Sequence, residues 1–300
     1  MLKSLTVATR GKSLTMVLSR PDKSGLFIKS ITGLGPVNAD INTTNFAVSD
    51  GGYFNSARKG TRNIVIDLYY MFHPTIEDAR HLTYSFFSVK ENVELTFTTD
   101  TRVLRTTGYV ESNEPDVFSN LSGAQISIIC PDPKFYSVDS SITSFRNVED
   151  IFEFPLENNS TTEDLIEMGD IKIDTVKVIK YLGDGEVGMT LRIHALAEIS
   201  LITFYDFDTR DQMVFDFAKL SSSLGPKMQP LDDLVVCTIP GKKSITLIRE
   251  GKSYNALNCL DRMSTWLTLK SGENVFAYEI DEGVFAAVFE IDNAIAYEGV

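Results

Sequence analysis

GLGPVNADINTTNFAVSDGGYFNSARKGTRNIVIDLYYM, residues 33–71, divides into two parts that obey different rules. In the second part, Ile64, Ile66, Leu68 and Tyr70 alternate with Val65, Asp67, Tyr69 and Met71, the period-2 signature of a strand. The first part, 33–63, sustains neither a period of 2 nor one of 3.6. Gly, Asn, Asp and Thr recur through it, yet Ile41, Phe46, Val48, Tyr53 and Phe54 are scattered among them, which is too apolar for a disordered linker. About 30 extended residues span on the order of 100 Å, whereas a domain of about 140 residues has a radius of gyration near 14 Å. The segment therefore folds back as a long hairpin or reaches onto a neighbour; a plain surface loop is the other reading.

Around this stretch the chain reads as short strands. Leu14, Met16 and Leu18 alternate before Arg20-Pro21-Asp22, and Leu26–Ile31 forms a partner strand. Thr75 caps a helix expected over about 75–89, with Glu77 and Asp78 in the first turn, where the dipole favours negative charge. Its apolar residues, Phe87 included, cover an arc of about 160°, wider than one sheet face requires. Phe87 thus becomes a candidate for a second contact. Strands follow at 93–98, 102–110 and 125–130, separated by a polar loop at 111–116, and Pro131-Asp132-Pro133 ends the last of them.

The run Asp40-Ile41-Asn42, Ser49-Asp50-Gly51-Gly52-Tyr53-Phe54-Asn55-Ser56, Arg58-Lys59-Gly60-Thr61-Arg62-Asn63-Ile64 resembles the amino-terminal domain of siphophage distal tail proteins. Further matching pieces are the helix start Thr75–Arg80, Gly108-Tyr109-Val110-Glu111, and Ile126 through Phe135, in the expected order across Leu26–Tyr136. The second half matches chiefly at Trp266-Leu267 and Lys270–Asn274. The resemblance implies a mainly β chain with one main helix: a split-barrel or β-sandwich-like ring domain over 1–138, a linker over 139–146, and a galectin-like antiparallel β-sandwich over 147–300. It further implies a homohexameric ring hub at the distal end of a phage tail, in the virion. The hub would join the tail tube protein to the tail-associated baseplate or fibre protein, carry receptor-binding proteins or touch the host surface, and enclose the DNA channel.

The residues add independent expectations. Asn38–Asn63, Tyr53 and Phe54 especially, is the candidate contact between copies, with Asp40, Asn42, Phe46, Asp50 and Gly51 as further candidates. Arg58, Lys59 and Arg62 are the sharpest positive cluster in a chain of net charge −13, either a socket for a neighbour's carboxylates or solvated charge. That acidity argues against nucleic-acid binding through phosphate contacts, though not against DNA sliding past without sticking. Strands at short intervals from 171 to 291, with Gly- and Asp-rich turns, argue for an antiparallel sandwich, and a short helix is expected at 162–168.

Catalytic chemistry finds no footing. Gly11-Lys12-Ser13 and Gly251-Lys252-Ser253 lack the upstream glycine of a phosphate loop and read as turns. His73, His81 and His194 are not clustered, and Cys130, Cys237 and Cys259 are widely spaced, so no metal site, disulfide framework or cofactor is expected. Asp206–Asp211 lacks the Gly and Glu of a calcium loop. Glu186, Glu198, Glu273 and Glu290 could supply the carboxylate pair of a cell-wall glycosidase, the less favoured alternative, since among this many acids chance proximity explains any pair equally well. Trp266 is expected in the core. No apolar run is long enough to span a membrane and no secretory signal is visible, so synthesis and folding in the bacterial host cytoplasm are expected. A carbohydrate-binding or host-surface adhesion module, and the equivalent hub of a contractile tail or tail-like particle, stand as alternatives.

Overall fold

A computed structural model describes residues 1–71, 74–116, 122–149, 170–173, 175–222 and 224–300. His73, much of the acidic passage and the helix expected at 162–168 lie outside the described residues. Chain contacts divide the protein into two units: unit 1 is Met1–Val138 with Ala296–Val300, and unit 2 is Asp139–Ile295.

Unit 1 holds β1 (Ser4–Thr9), β2 (Lys12–Val17), β3 (Leu26–Thr32), β4 (Ala39–Asn45), β5 (Gly52–Lys59), β6 (Arg62–Tyr70), helix α1 (Ile76–Phe86), β7 (Asn92–Thr98), β8 (Val103–Asp116) and β9 (Gly123–Cys130). Seven strands pair antiparallel in the order β2-β1-β7-β8-β9-β6-β3. β8 is the hinge of this arrangement. Its first half pairs with β7 and its second half with β9, and the register shifts between Val110 and Ser112. A bulge of this kind bends a strand and increases its twist. The sheet thus turns a corner without closing into a barrel. The residues 111–116, expected as a loop, are part of this strand because β9 supplies a ladder partner out to Asp116.

Alternation decides which face is inside. Leu5, Val7, Met16, Ile64, Ile66, Leu68, Val93, Leu95, Phe97, Ile126 and Ile128 are all buried in one apolar cluster. α1 closes that core through Ala79, Thr83 and Phe86. Its start is as expected: the Thr75 hydroxyl accepts from the Asp78 amide at 3.1 Å. Its end is three residues earlier than the expected 89. Phe87 leaves helical geometry as the C-cap, and Lys90 takes a φ of 70°.

The chain passes from unit 1 into unit 2 along β10 (Phe135–Ser144), continues through β11 (Arg146–Glu149), β12 (Asp170–Ile173), β13 (Val176–Tyr181), β14 (Val187–Gly188), β15 (Thr190–Ala195), β16 (Leu201–Asp206), β17 (Gln212–Asp216), β18 (Asp233–Cys237), β19 (Ser244–Arg249), β20 (Lys252–Asn255), β21 (Thr268–Leu269) and β22 (Gly272–Ile280), and returns to unit 1 at the end of β23 (Ala287–Tyr297). Within the passage 139–146, residues up to Ser144 are extended as part of β10, Phe145 is a bend, and Arg146 opens β11. A serine-rich run is polar, but nothing in serine prevents extended pairing. One sheet runs β23-β15-β18-β19-β20 and another β13-β22-β16-β17. Their inner faces interdigitate: Phe204 of β16 stacks on Phe289 of β23 at 6.0 Å, and Tyr278 of β22 stacks on Phe289 at 3.9 Å. Two antiparallel sheets sharing one aromatic core make a β-sandwich. Both Gly-Lys-Ser triplets begin at hairpin turns. Arg10-Gly11 (φ 48° and 74°) joins β1 to β2, and Glu250-Gly251 (φ 51° and 74°) joins β19 to β20, the geometry that matches strand twist.

Candidate subunit interface

Among the described residues β4 and β5 pair only with each other, forming a two-stranded arm between β3 and β6 in the chain. Every residue of both strands is exposed. The segment that lacks a simple period is thus a hairpin, and its missing apolar face is explained: neither face meets the core. Gly33, where the arm begins, is fixed by geometry. Its φ is +81°, and a Cβ there would sit 2.0 Å from the Asn63 carbonyl oxygen on the returning strand. At the tip, Gly51 (φ +99°) lets its carbonyl accept from the Phe46 amide at 3.1 Å.

Directly opposed residues share a face of a hairpin. Thr43 opposes Phe54, Ile41 opposes Ala57 and Ala39 opposes Lys59, so Ile41, Phe54 and the two alanines form a mainly apolar side. Asp40 opposes Arg58, Asn42 opposes Ser56 and Thr44 opposes Tyr53 on the other, polar side. A register shift between Asn42 and Thr43 accommodates Asn55, whose amide donates to the Thr44 hydroxyl at 2.7 Å. Phe46 meets Tyr53 edge-to-face at 4.6 Å. Ile41, Tyr53 and Phe54 are nevertheless 64%, 66% and 65% exposed. Fully burying a large apolar side chain is worth about 1.5–3 kcal/mol, and most of that is not realised within this chain.

The positive cluster does not form a free socket. Arg58 pairs with Asp40 across the hairpin at 3.4 Å, both well exposed, and Lys59 pairs with Glu298. Arg62 is a correction: it is 1% exposed. Its Nε donates to the Pro133 carbonyl at 2.7 Å, Nη1 to those of Gly33 and, at 2.6 Å, Gly35, and Nη2 to that of Glu298 at 2.7 Å. The guanidinium also lies 4.3 Å over the Phe135 ring. Burial lowers its pKa from the ordinary value, opposed by Cys130, Asp132 and Glu298. Arginine's forked donors suit this role, because a buried charge must be fully hydrogen-bonded to persist. Phe87 is the second correction. It is buried in the unit 1 core because the helix ends before it and turns its ring inward. Asp50 and Gly51 stand exposed at the tip.

The remaining chemical candidates fall apart into separate local roles. His81 packs edge-on against Tyr84, and His194 Nδ1 lies 2.7 Å from Asp233. Asp206 Oδ1 accepts from the amides of Asp208 and Thr209, a turn cap rather than a calcium ligand. Glu186 accepts from Thr268, Glu198 pairs with Lys227 at 3.4 Å, Glu273 opposes Lys180 and Glu290 opposes Arg192. Among the described residues no group of three metal-ligating side chains comes together. Trp266 is half-buried rather than in the core, with the Lys243 ammonium 5.2 Å from its ring.

A corner-turned sheet with an exposed arm, followed by an antiparallel sandwich, defines a particular two-unit β architecture. It is the architecture of the SPP1 Dit protein, described as a paradigm of hub adsorption apparatus in phages infecting Gram-positive bacteria. That structure matches with a TM-score of 0.65 at 12% identity, over 97% of this chain and 99% of the other. The phage P2 baseplate in its activated conformation matches at 0.50 and 11% identity over 98% of each chain. No family model matches the sequence, and no curated protein sequence does. The chain has the Dit fold over nearly its whole length.

Proposed function

We propose that this chain is the structural ring hub at the distal end of a phage tail. Six copies close into a ring through unit 1. The ring joins the tail tube protein on one side to the tail-associated baseplate or fibre protein on the other, and DNA passes through its centre without specific binding. Unit 2 carries receptor-binding proteins or meets the host surface. The protein works by geometry and performs no catalysis.

The observation that carries this reading is the arm. An isolated two-stranded hairpin is marginal in water, and this one exposes Ile41 and Phe54 on one face and Tyr53 on the other. A heterologous contact in which each copy's arm lies on the next gives both a reason for the exposed side chains and a route to closure under rotation. The full-chain likeness to a hub protein supports the same reading. The net charge of −13 suits a conduit wall that repels phosphate.

The test is the mass and symmetry of the purified full chain. A sixfold ring in electron micrographs, with a matching mass by light scattering, is the expected result. A chain that stays monomeric at concentrations well above micromolar overturns it.

A further inference from the structure

The arm has two feet, and one short stretch of chain binds both. Although 236 positions separate them, the Glu298 carbonyl accepts from Arg62 Nη2 at the foot of the returning strand. The Val300 amide donates to the Leu34 carbonyl at 3.0 Å at the foot of the outgoing strand. Between these, Gly299 lies so close that a Cβ would stand 3.1 Å from the Leu34 carbonyl oxygen. The Glu298 carboxylate also takes Lys59, the last residue of β5. Arg62 extends the tie downward, through the Pro133 carbonyl and the Phe135 ring, into the unit 1 core.

We propose that Ala296–Val300 is a latch, seated by Arg62, that sets the direction in which the arm leaves unit 1. A hairpin with both faces in solvent has nothing along its length to hold its angle, so its orientation is decided at its feet. Buried Arg62 supplies the rigid point: four of its N–H groups are taken up by carbonyls from three separate segments, at Gly33 and Gly35, at Pro133 and at Glu298. The latch begins with Ala296 and Tyr297, the last residues of β23, and continues past the strand to Val300, while the earlier residues of β23 belong to unit 2. The chain itself therefore connects unit 2 to the setting of the arm. Resting on the ring reading, a second consequence follows: only a latched arm meets the next copy at an angle that closes the ring.

Hydrogen exchange on the full-length protein tests the latch directly. Deleting Glu298–Val300 is expected to speed exchange of the amides at 33–35 and 58–62 by about tenfold or more, while Ile64–Leu68 stay protected. Arg62→Lys keeps the charge, loses the fork and should loosen the same amides. Val300→Pro removes only the bond to Leu34 and should do so more weakly. Lys59→Ala, which removes the ion pair to Glu298 but none of the carbonyl bonds, should loosen them least. Unaltered exchange at the feet in both Arg62→Lys and Val300→Pro overturns the latch, and these two variants decide the matter even where the deletion does not fold. On the assembly side, the loosened variants should give species of mixed size instead of one closed ring. Loosened feet with an intact ring overturn the link to closure. A wild-type chain that never assembles overturns the ring reading, while the exchange rates at the feet still decide whether the latch exists.

Discussion

Hairpins β1–β2 and β4–β5 belong to the same unit, and both hold an antiparallel register over at least six residue pairs. Their side chains meet different fates. In β1–β2, Leu5, Val7 and Met16 point into the core, β7 extends the ladder on one side, and a two-residue turn at Arg10-Gly11 closes the end. In β4–β5 nothing is buried, no third strand joins, and the turn widens to the six residues between Asn45 and Gly52. Backbone pairing is thus common to both, and what separates them is apolar burial. Hydrogen bonds alone contribute little net stability once exchanged against water. The first hairpin is held by its own chain, and the second keeps Ile41, Tyr53 and Phe54 available for something outside it.

Mutations that exchange these roles have the largest expected effects. Ile41→Asp combined with Phe54→Asp should weaken assembly by about thirtyfold or more, the consequence of losing hot-spot contacts worth about 2 kcal/mol or more. Folding stability should stay within about 0.5 kcal/mol, because exposed positions away from the core rarely cost more. Light scattering against a denaturant titration separates the two quantities. If the double variant assembles normally, the arm's apolar side is not the contact. Leu5→Ala is the mirror case. It removes a fully buried side chain and should cost about 2–5 kcal/mol of unit 1 stability in denaturant unfolding. A Leu5→Ala protein as stable as wild type would mean that burial does not distinguish the hairpins.

How much of this is written in the sequence follows from the same contrast. β6 is legible because Ile64, Ile66, Leu68 and Tyr70 alternate against a core that rewards alternation. The arm is legible only as an anomaly, since a hairpin with two wet faces imposes no period. β1 escapes sequence reading because a six-residue strand opening with Ser4 and including Thr6 and Ala8 on its outer side carries little apolar signal. Arg62 misleads for a different reason. Next to Arg58 and Lys59 it reads as one more surface cation, and its true partners are carbonyls at Gly33, Gly35, Pro133 and Glu298. Backbone acceptors have no sequence signature, and the one at Glu298 is 236 positions away. Phe87 turns on a boundary: continuing the helix to Val89 places its ring on an outer arc, whereas a helix ending at Phe86 turns it inward.

Charge at the arm should matter less than its apolar side. Arg58 and Asp40 are 84% and 71% exposed, and such pairs are weak and screened by salt. Arg58→Glu should therefore change assembly by at most about fivefold, with the difference shrinking as salt is raised. A complete loss of assembly in that variant would move the decisive contact from the apolar to the polar side of the arm, and would restore the idea of a cationic socket at this one residue.

The smallest effect concerns the turn of the other hairpin. Arg10 at the β1–β2 turn donates to the carboxylate of Glu91, and this hydrogen bond is the main reason that the Glu91 carboxyl titrates below its usual value of 4.5. Since its pKa is lower in the folded state than in the unfolded one, the contribution is present in full above pH 4.5 and is lost as pH falls through the folded value. Both groups are solvent-exposed, so the change is local: amides of residues 9–12 should lose some exchange protection on acidification while those of Leu5 and Val7 hold. Arg10→Ala should abolish that pH step and leave the rest of the hairpin intact, because the buried residues and not the ion pair hold it to the core. A hairpin that came loose in Arg10→Ala would show that charge, rather than burial, is what distinguishes β1–β2 from the arm.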